Sequence, residues 1–66
     1  METTIKVNGM HCRSCELLLM DVIGEIPGVE TVSVNRTAGT VSVRVKDGNA
    51  LENVRKAIEK EGYRVV

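Results

Sequence analysis

Residues 29–46 read VETVSVNRTAGTVSVRVK, and this stretch decides how the rest of the chain is arranged. In its second half, valine alternates with serine and arginine over residues 41–45, and in its first half Val32 and Val34 share one face. Such alternation is typical of strands that bury one face. A short turn of Arg, Thr, Ala and Gly joins the two halves. We therefore predict a β-hairpin with strands at residues 29–34 and 40–46.

A strand and a helix precede this hairpin. Residues 3–8 alternate, with Ile5 and Val7 on one face, which predicts a half-buried strand. From residue 13 to about residue 26, apolar side chains recur at helical spacing, and a Pro-Gly pair ends the pattern. The predicted inward face of this helix comprises Cys15, Leu19, Val22 and Ile26, with Leu18 and Ile23 beside them.

A second helix and a fourth strand follow the hairpin. Residues 47–49 form a turn that can cap a helix over residues 50–61, with Leu51, Val54, Ala57 and Ile58 inward, and residues 63–66 form a short strand. The element order predicts an α+β fold, a ferredoxin-like βαββαβ sandwich. In it, a four-stranded antiparallel sheet carries both helices on one face. At 66 residues, the chain is expected to be a single domain spanning 1–66.

The composition argues against several classes of partner. Nine Lys and Arg residues balance nine Asp and Glu residues, which disfavours charge-driven binding to nucleic acid or anionic membranes. RNA-binding sheets stack bases on aromatic side chains, and Tyr63 is the only Phe, Tyr or Trp of the chain. The longest apolar run, residues 17–20, is too short to span a bilayer, and no signal peptide is visible. We expect a cytoplasmic protein with no nucleic-acid partner and no membrane insertion.

The two cysteines, Cys12 and Cys15, lie where the first strand meets the first helix, in the sequence GMHCRSC at residues 9–15. In a reducing cytosol, a close cysteine pair is more often a metal or redox site than a structural disulfide. The start of a helix offers unpaired N–H groups and a positive dipole, which stabilise a thiolate. Arg13, between the two cysteines, adds a positive charge. The pattern therefore predicts two reactive thiolates.

The number and type of these ligands favour a soft ion. A structural zinc site takes four ligands, whereas this chain has one cysteine pair, and His11 is its only histidine. Thiolates select Cu(I) among biologically available metals, and Hg(II) and Ag(I) share this preference. An ion held by two sulfurs also leaves room for an incoming thiolate. We predict a carrier, not an enzyme, that binds one Cu(I) through Cys12 and Cys15 and transfers it by exchange of thiolate ligands.

The motifs together resemble the heavy-metal-associated domain family of copper chaperones and metal-transporting P-type ATPases. They comprise GMHCRSC at residues 9–15, Leu19, Val22, Ile26, Pro27-Gly28-Val29, the alternating segments 32–34 and 41–45, and Glu61-Gly62-Tyr63. The resemblance implies the ferredoxin-like fold and Cu(I) bound by Cys12 and Cys15. It also implies transfer by docking to a similar domain, such as that of a copper-transporting P-type ATPase.

The resemblance further implies roles for residues around the pair. Met10 is expected to be a buried anchor of the metal loop rather than a ligand, and Tyr63 is expected near that loop. Zinc-transporting relatives often carry an acidic residue where this chain has His11, which favours copper. From the residues themselves, we expect Gly9 to let the loop turn. Arg13 and Tyr63 are expected to offset the negative charge of the thiolates.

Three apolar residues, Leu17, Leu18 and Met20, occupy positions where family members usually carry polar or small residues. Of these, Leu17 and Met20 fall outside the predicted inward face of the helix. We expect them to be partly exposed, either as scattered surface residues or as a docking surface for the partner.

Two alternative functions and one question about the oligomeric state stay open on the sequence alone. A module of the same fold can instead handle Hg(II) or Zn(II). A small thiol–disulfide oxidoreductase would also place its cysteine pair at a helix start, although this chain lacks the aromatic and proline residues of the thioredoxin motif. Finally, we expect a monomer without metal, whereas two molecules that share an ion through four thiolates would form a metal-bridged dimer.

Overall fold

The computed structural model describes residues 2–66 and confirms the predicted order of elements. The elements are β1 (Glu2–Asn8), α1 (Arg13–Gly24), β2 (Val29–Asn35), β3 (Thr40–Val45), α2 (Gly48–Lys60) and β4 (Arg64–Val65). Their bounds differ from the predicted ones by no more than about two residues. The Asp47 side chain accepts a hydrogen bond from the Ala50 N–H at 2.9 Å, which confirms the predicted cap of α2.

The four strands form one antiparallel sheet in the order β2-β3-β1-β4. The core lies between this sheet and the two helices, and Val41, Val43 and Val45 of β3 are at most 1% exposed. The remaining buried residues are Ile5, Val7, Met10, Leu19, Ile23, Ala50, Val54 and Ile58. The ferredoxin-like α+β fold is thereby confirmed, with the alternating valines of β3 at its centre.

Two predicted inward positions were wrong. Val32 is 46% exposed because a β-bulge between Thr31 and Ser33 interrupts the pairing of β2 with β3. A bulge adds one residue to one strand, and the alternation of side chains is displaced there. Leu18, expected beside the inward face of α1, is 42% exposed, whereas Leu19 and Ile23 are fully buried.

Three connections meet at one end of the molecule, which we call the cysteine end: residues 9–12, 36–39 and 61–63. The Val7 N–H donates to the Gly39 carbonyl at 2.8 Å and joins β1 to the β2–β3 turn. The Tyr63 ring lies against Gly9 and joins the last connection to the first. The fold therefore brings segments from both halves of the chain around the cysteine pair.

Neither helix of the described part of the chain has the length and apolar character required to cross a bilayer.

Candidate metal centre

The loop between β1 and α1 begins at a residue that must be glycine. Gly9 has a φ of +107°, in the left-handed region that side chains other than glycine's rarely adopt. A Cβ atom at this position would lie 3.3 Å from Cδ1 of Tyr63. Glycine thus allows the turn of the loop without backbone strain and leaves room for the close approach of the Tyr63 ring.

The next residue, Met10, is 6% exposed and belongs to the hydrophobic core cluster. Its neighbours Gly9 and His11 are both exposed. The loop is therefore held to the core through one side chain, while the residues around it face solvent.

The two cysteines stand on either side of the first residues of α1. Cys12 is the N-cap residue, with an extended backbone, and its side chain makes no capping hydrogen bond. The Cys15 N–H donates to the Cys12 carbonyl at 3.1 Å. The two Sγ atoms are 3.5 Å apart, and both thiols are free. Because Cys12 is exposed and Cys15 only half-buried, the pair is open to an ion or a partner.

The surroundings of Cys15 favour its ionised form. A hydrogen bond from the Tyr63 hydroxyl, followed by bonds from the backbone of His11 and from Cys12, lowers the pKa of Cys15 from 9.0 to about 7. Partial desolvation acts weakly in the opposite direction. The same hydrogen bond raises the pKa of Tyr63 from 10.0 to about 12, so this hydroxyl keeps its proton. These contacts therefore favour the thiolate of Cys15 relative to that of an ordinary cysteine.

The side chains of the other residues singled out from the sequence face solvent. His11 is exposed. The Arg13 side chain is 76% exposed, and its Nη1 atom lies 3.8 Å from Oε1 of Glu16. Leu17 and Met20 are 53% and 43% exposed on the outer side of α1.

Within residues 2–66, no three His, Cys, Asp or Glu side chains are grouped so that they could hold a metal ion. In this part of the chain, the two cysteine sulfurs at the start of α1 thus form a pair without a third such group.

Sequence reasoning missed Glu16. Its Oε2 atom accepts a hydrogen bond from the Arg36 N–H at 2.8 Å, which connects α1 to the β2–β3 turn. The only sequence signal was an acidic residue in the first turn of a predicted helix.

Comparison with known proteins places the chain in a family. The heavy-metal-associated domain family matches residues 4–64. The copper chaperone CopZ of Bacillus subtilis is 37% identical over 65 residues, which cover 97% of this chain and 94% of CopZ. A probable copper-exporting P-type ATPase of Archaeoglobus fulgidus is 36% identical over 67 residues, and a mercuric reductase of Shigella flexneri is 29% identical over 62. These alignments cover 100% and 94% of this chain, but only 8% of the ATPase and 11% of the reductase.

A solved structure extends this agreement to three dimensions. A CopZ metallochaperone matches with a TM-score of 0.89 and 32% identity, and the alignment covers both chains completely. The sequence match and the fold match thus span the same elements, including the β1–α1 loop with its two cysteines. The chain belongs to the heavy-metal-associated domain family.

Proposed function

We propose that this protein is a copper carrier that binds one Cu(I) ion through Cys12 and Cys15 and passes it to a partner protein. The observation that carries the proposal is the pair of free thiols, 3.5 Å apart, at the start of α1. Similarity to CopZ over nearly the whole of both chains supports copper as the cargo. In this role the protein transports an ion and catalyses no reaction.

The site suits a soft monovalent ion because the ligand atoms that it offers are the Sγ atoms of the two cysteines. Thiolates prefer Cu(I), and a lowered pKa makes one of them available at neutral pH. Met10 anchors the loop, and Gly9 allows its turn. Tyr63 donates to the Cys15 sulfur, which disperses part of the excess negative charge of two thiolates on one monovalent ion.

Transfer proceeds by ligand exchange without a change in oxidation state. A thiolate of the partner forms a new Cu–S bond, and the Cys12–Cu bond breaks first because Cys12 is exposed and unrestrained by a capping hydrogen bond. A second partner thiolate then replaces Cys15. Two Cu–S bonds form as two Cu–S bonds break, and two thiolates enter as two leave, so atoms and charge balance.

The partner is the metal-binding domain of a copper-transporting P-type ATPase, a class to which one of the relatives belongs. It docks at the cysteine end and along the outer side of α1, where Leu17 and Met20 are exposed. The carrier acts in the cytoplasm as a monomer when free of metal. A metal-bridged dimer is the alternative for the loaded form.

The competing functions use the same two sulfurs. The similarity to a mercuric reductase favours Hg(II) as the second candidate cargo, with Zn(II) as a further alternative. A thiol–disulfide oxidoreductase is distinguished by its turnover in a disulfide-reduction assay with a redox partner.

The first prediction concerns the metal itself. Titration of the reduced protein with Cu(I) against a chromophoric competitor is expected to show tight binding of one ion per chain. Cys12→Ser and Cys15→Ser should each weaken it by orders of magnitude, because the ion loses one of its two sulfurs. Circular dichroism should show both variants folded, since neither cysteine belongs to the fully buried core. Wild-type affinity no higher than that of the variants, or a preference for Zn(II), would contradict the proposal.

The second prediction concerns Tyr63. Tyr63→Phe removes the hydroxyl that contributes most to the low pKa of Cys15, so this pKa should rise from about 7 toward 9.0. The pH dependence of alkylation by iodoacetamide, followed at Cys15 by mass spectrometry, measures the shift. The pKa of Cys15 is lower in the folded state than in the unfolded state, so ionisation of this thiol stabilises the fold. This contribution to the free energy of unfolding is fully present above pH 9.0 and is lost as pH falls through about 7. If the pH dependence of Cys15 alkylation is the same in Tyr63→Phe as in wild type, the Tyr63 hydroxyl does not lower the pKa of Cys15.

The third prediction concerns docking. The double variant Leu17→Ser with Met20→Ser should keep the Cu(I) affinity of the wild type and slow transfer to the ATPase domain about tenfold, because two apolar contacts are lost. Leu18→Ser is the matched control, since Leu18 is 42% exposed on a different side of the same helix. Stopped-flow transfer kinetics measure the effect. Equal slowing by the control would show that these positions are not a specific docking surface.

A further inference from the structure

We propose that Glu16 is a positioning residue that holds the first turn of α1, and with it Cys15, against the β2–β3 turn, whereas Cys12 lies exposed at the N-cap position. The inference rests on the copper-carrying function proposed above. Glu16 directly follows Cys15, and its side chain is only 15% exposed. The other carboxylates in ion pairs, Glu2, Glu30 and Glu52, are 56%, 71% and 57% exposed. Glu16 is therefore set apart by burial as well as by position.

Both oxygens of the Glu16 carboxylate have a partner. Oε2 accepts a hydrogen bond from the Arg36 N–H at 2.8 Å, and Oε1 lies 3.8 Å from Nη1 of Arg13. The first contact joins residues 20 positions apart in the chain. Hydrogen bonds to an ionised carboxylate are stronger than those between neutral groups. The ion pair with the exposed Arg13 side chain contributes little free energy, so the hydrogen bond from the Arg36 N–H is the stronger restraint on Glu16.

The turn that receives Glu16 is itself well fixed. The Asn35 side chain accepts a hydrogen bond from the Ala38 N–H at 3.0 Å, which closes the turn locally. The Val7 N–H donates to the Gly39 carbonyl at 2.8 Å, which ties the same turn to β1. Glu16 thereby connects the start of α1 to the strand that leads into the cysteine loop.

The start of α1 needs such a restraint because its N-cap supplies none. Cys12 occupies the N-cap position without a side-chain capping bond, whereas Asp47 caps α2 through the Ala50 N–H. An uncapped first turn has unpaired N–H groups and frays easily. By accepting a hydrogen bond from the Arg36 N–H, Glu16 ties the first turn to the β2–β3 turn, while the Cys12 sulfur remains available for metal.

This arrangement makes the two sulfurs unequal. Cys15 lies in a helical turn held by Glu16 and packs against the core, while Cys12 is exposed beyond it. A pair with one sulfur on this restrained turn and the other at the exposed N-cap retains its ion through Cys15 when an incoming thiolate displaces Cys12. Loss of the Glu16 contact should therefore weaken Cu(I) binding and accelerate Cu(I) loss, beyond any effect on the stability of the fold.

Four variants isolate the hydrogen bond. Glu16→Ala deletes the acceptor, and Glu16→Gln keeps an oxygen that can still accept. Arg36→Pro deletes the donor at a turn position that tolerates proline, whereas Arg36→Ala removes the side chain and keeps the N–H. Glu52→Ala is the matched control, because it breaks an exposed ion pair of 3.0 Å on α2 without touching the cysteine end.

We expect Glu16→Ala and Arg36→Pro to lower the Cu(I) affinity of the folded protein about tenfold and to raise the rate of Cu(I) removal by a chelator similarly. Glu16→Gln, Arg36→Ala and Glu52→Ala should stay within about threefold of wild type. If Glu16→Ala and Arg36→Pro lower only the free energy of unfolding and leave Cu(I) binding unchanged, Glu16 is merely structural and the proposal fails. The proposal also fails if Arg36→Ala lowers the Cu(I) affinity as much as Arg36→Pro does.

Hydrogen exchange in the metal-free protein separates this failure from that of the proposed function. The Arg36 amide should be protected in wild type and in Glu16→Gln, and should exchange faster in Glu16→Ala. If exchange follows this pattern but wild type shows no cysteine-dependent Cu(I) binding, the copper function is wrong and the role of Glu16 in positioning a copper site falls with it. If wild type binds Cu(I) and Arg36 exchanges equally in all three proteins, only the Glu16 proposal is overturned.

Discussion

The burial of Met10 is the constraint on which the arrangement of the cysteine pair depends. Its side chain is 6% exposed within the core, and it fixes the loop two residues before Cys12. The other sulfur is fixed independently, because Leu19 is fully buried one helical turn after Cys15. Two separate attachments to one core thus hold the Sγ atoms 3.5 Å apart. A site arranged in advance loses less entropy when it takes a ligand.

The fold was predictable because its signals are local and repeated. The valines of β3 alternate without interruption, and all three are buried as the pattern indicates. The same rule was wrong at Val32, since a bulge depends on how β2 pairs with β3 and leaves no local mark in the sequence. On α1, helical spacing identified Leu19 and Ile23 but also included Leu18, whose exposure is decided by how the helix is rotated against the sheet.

The site was predictable only where its residues are neighbours in the chain. The spacing of Cys12 and Cys15 and the glycine before them are visible in residues 9–15. The family resemblance placed Tyr63 near the loop, but not its hydroxyl as the largest cause of the low Cys15 pKa. The bond between Glu16 and Arg36 joins a helix to a distant turn, and sequence alone gives no means of pairing them.

In the proposed function, one Cu(I) ion is held by the sulfurs of Cys12 and Cys15 and by no other side chain of this protein. X-ray absorption spectroscopy of the Cu(I)-loaded monomer, prepared without added thiol, measures this set of ligands. We expect sulfur scattering from two ligands per copper, and no imidazole signal because His11 is not grouped with the pair within residues 2–66. Imidazole scattering, or fewer than two sulfurs per copper, would contradict this expectation.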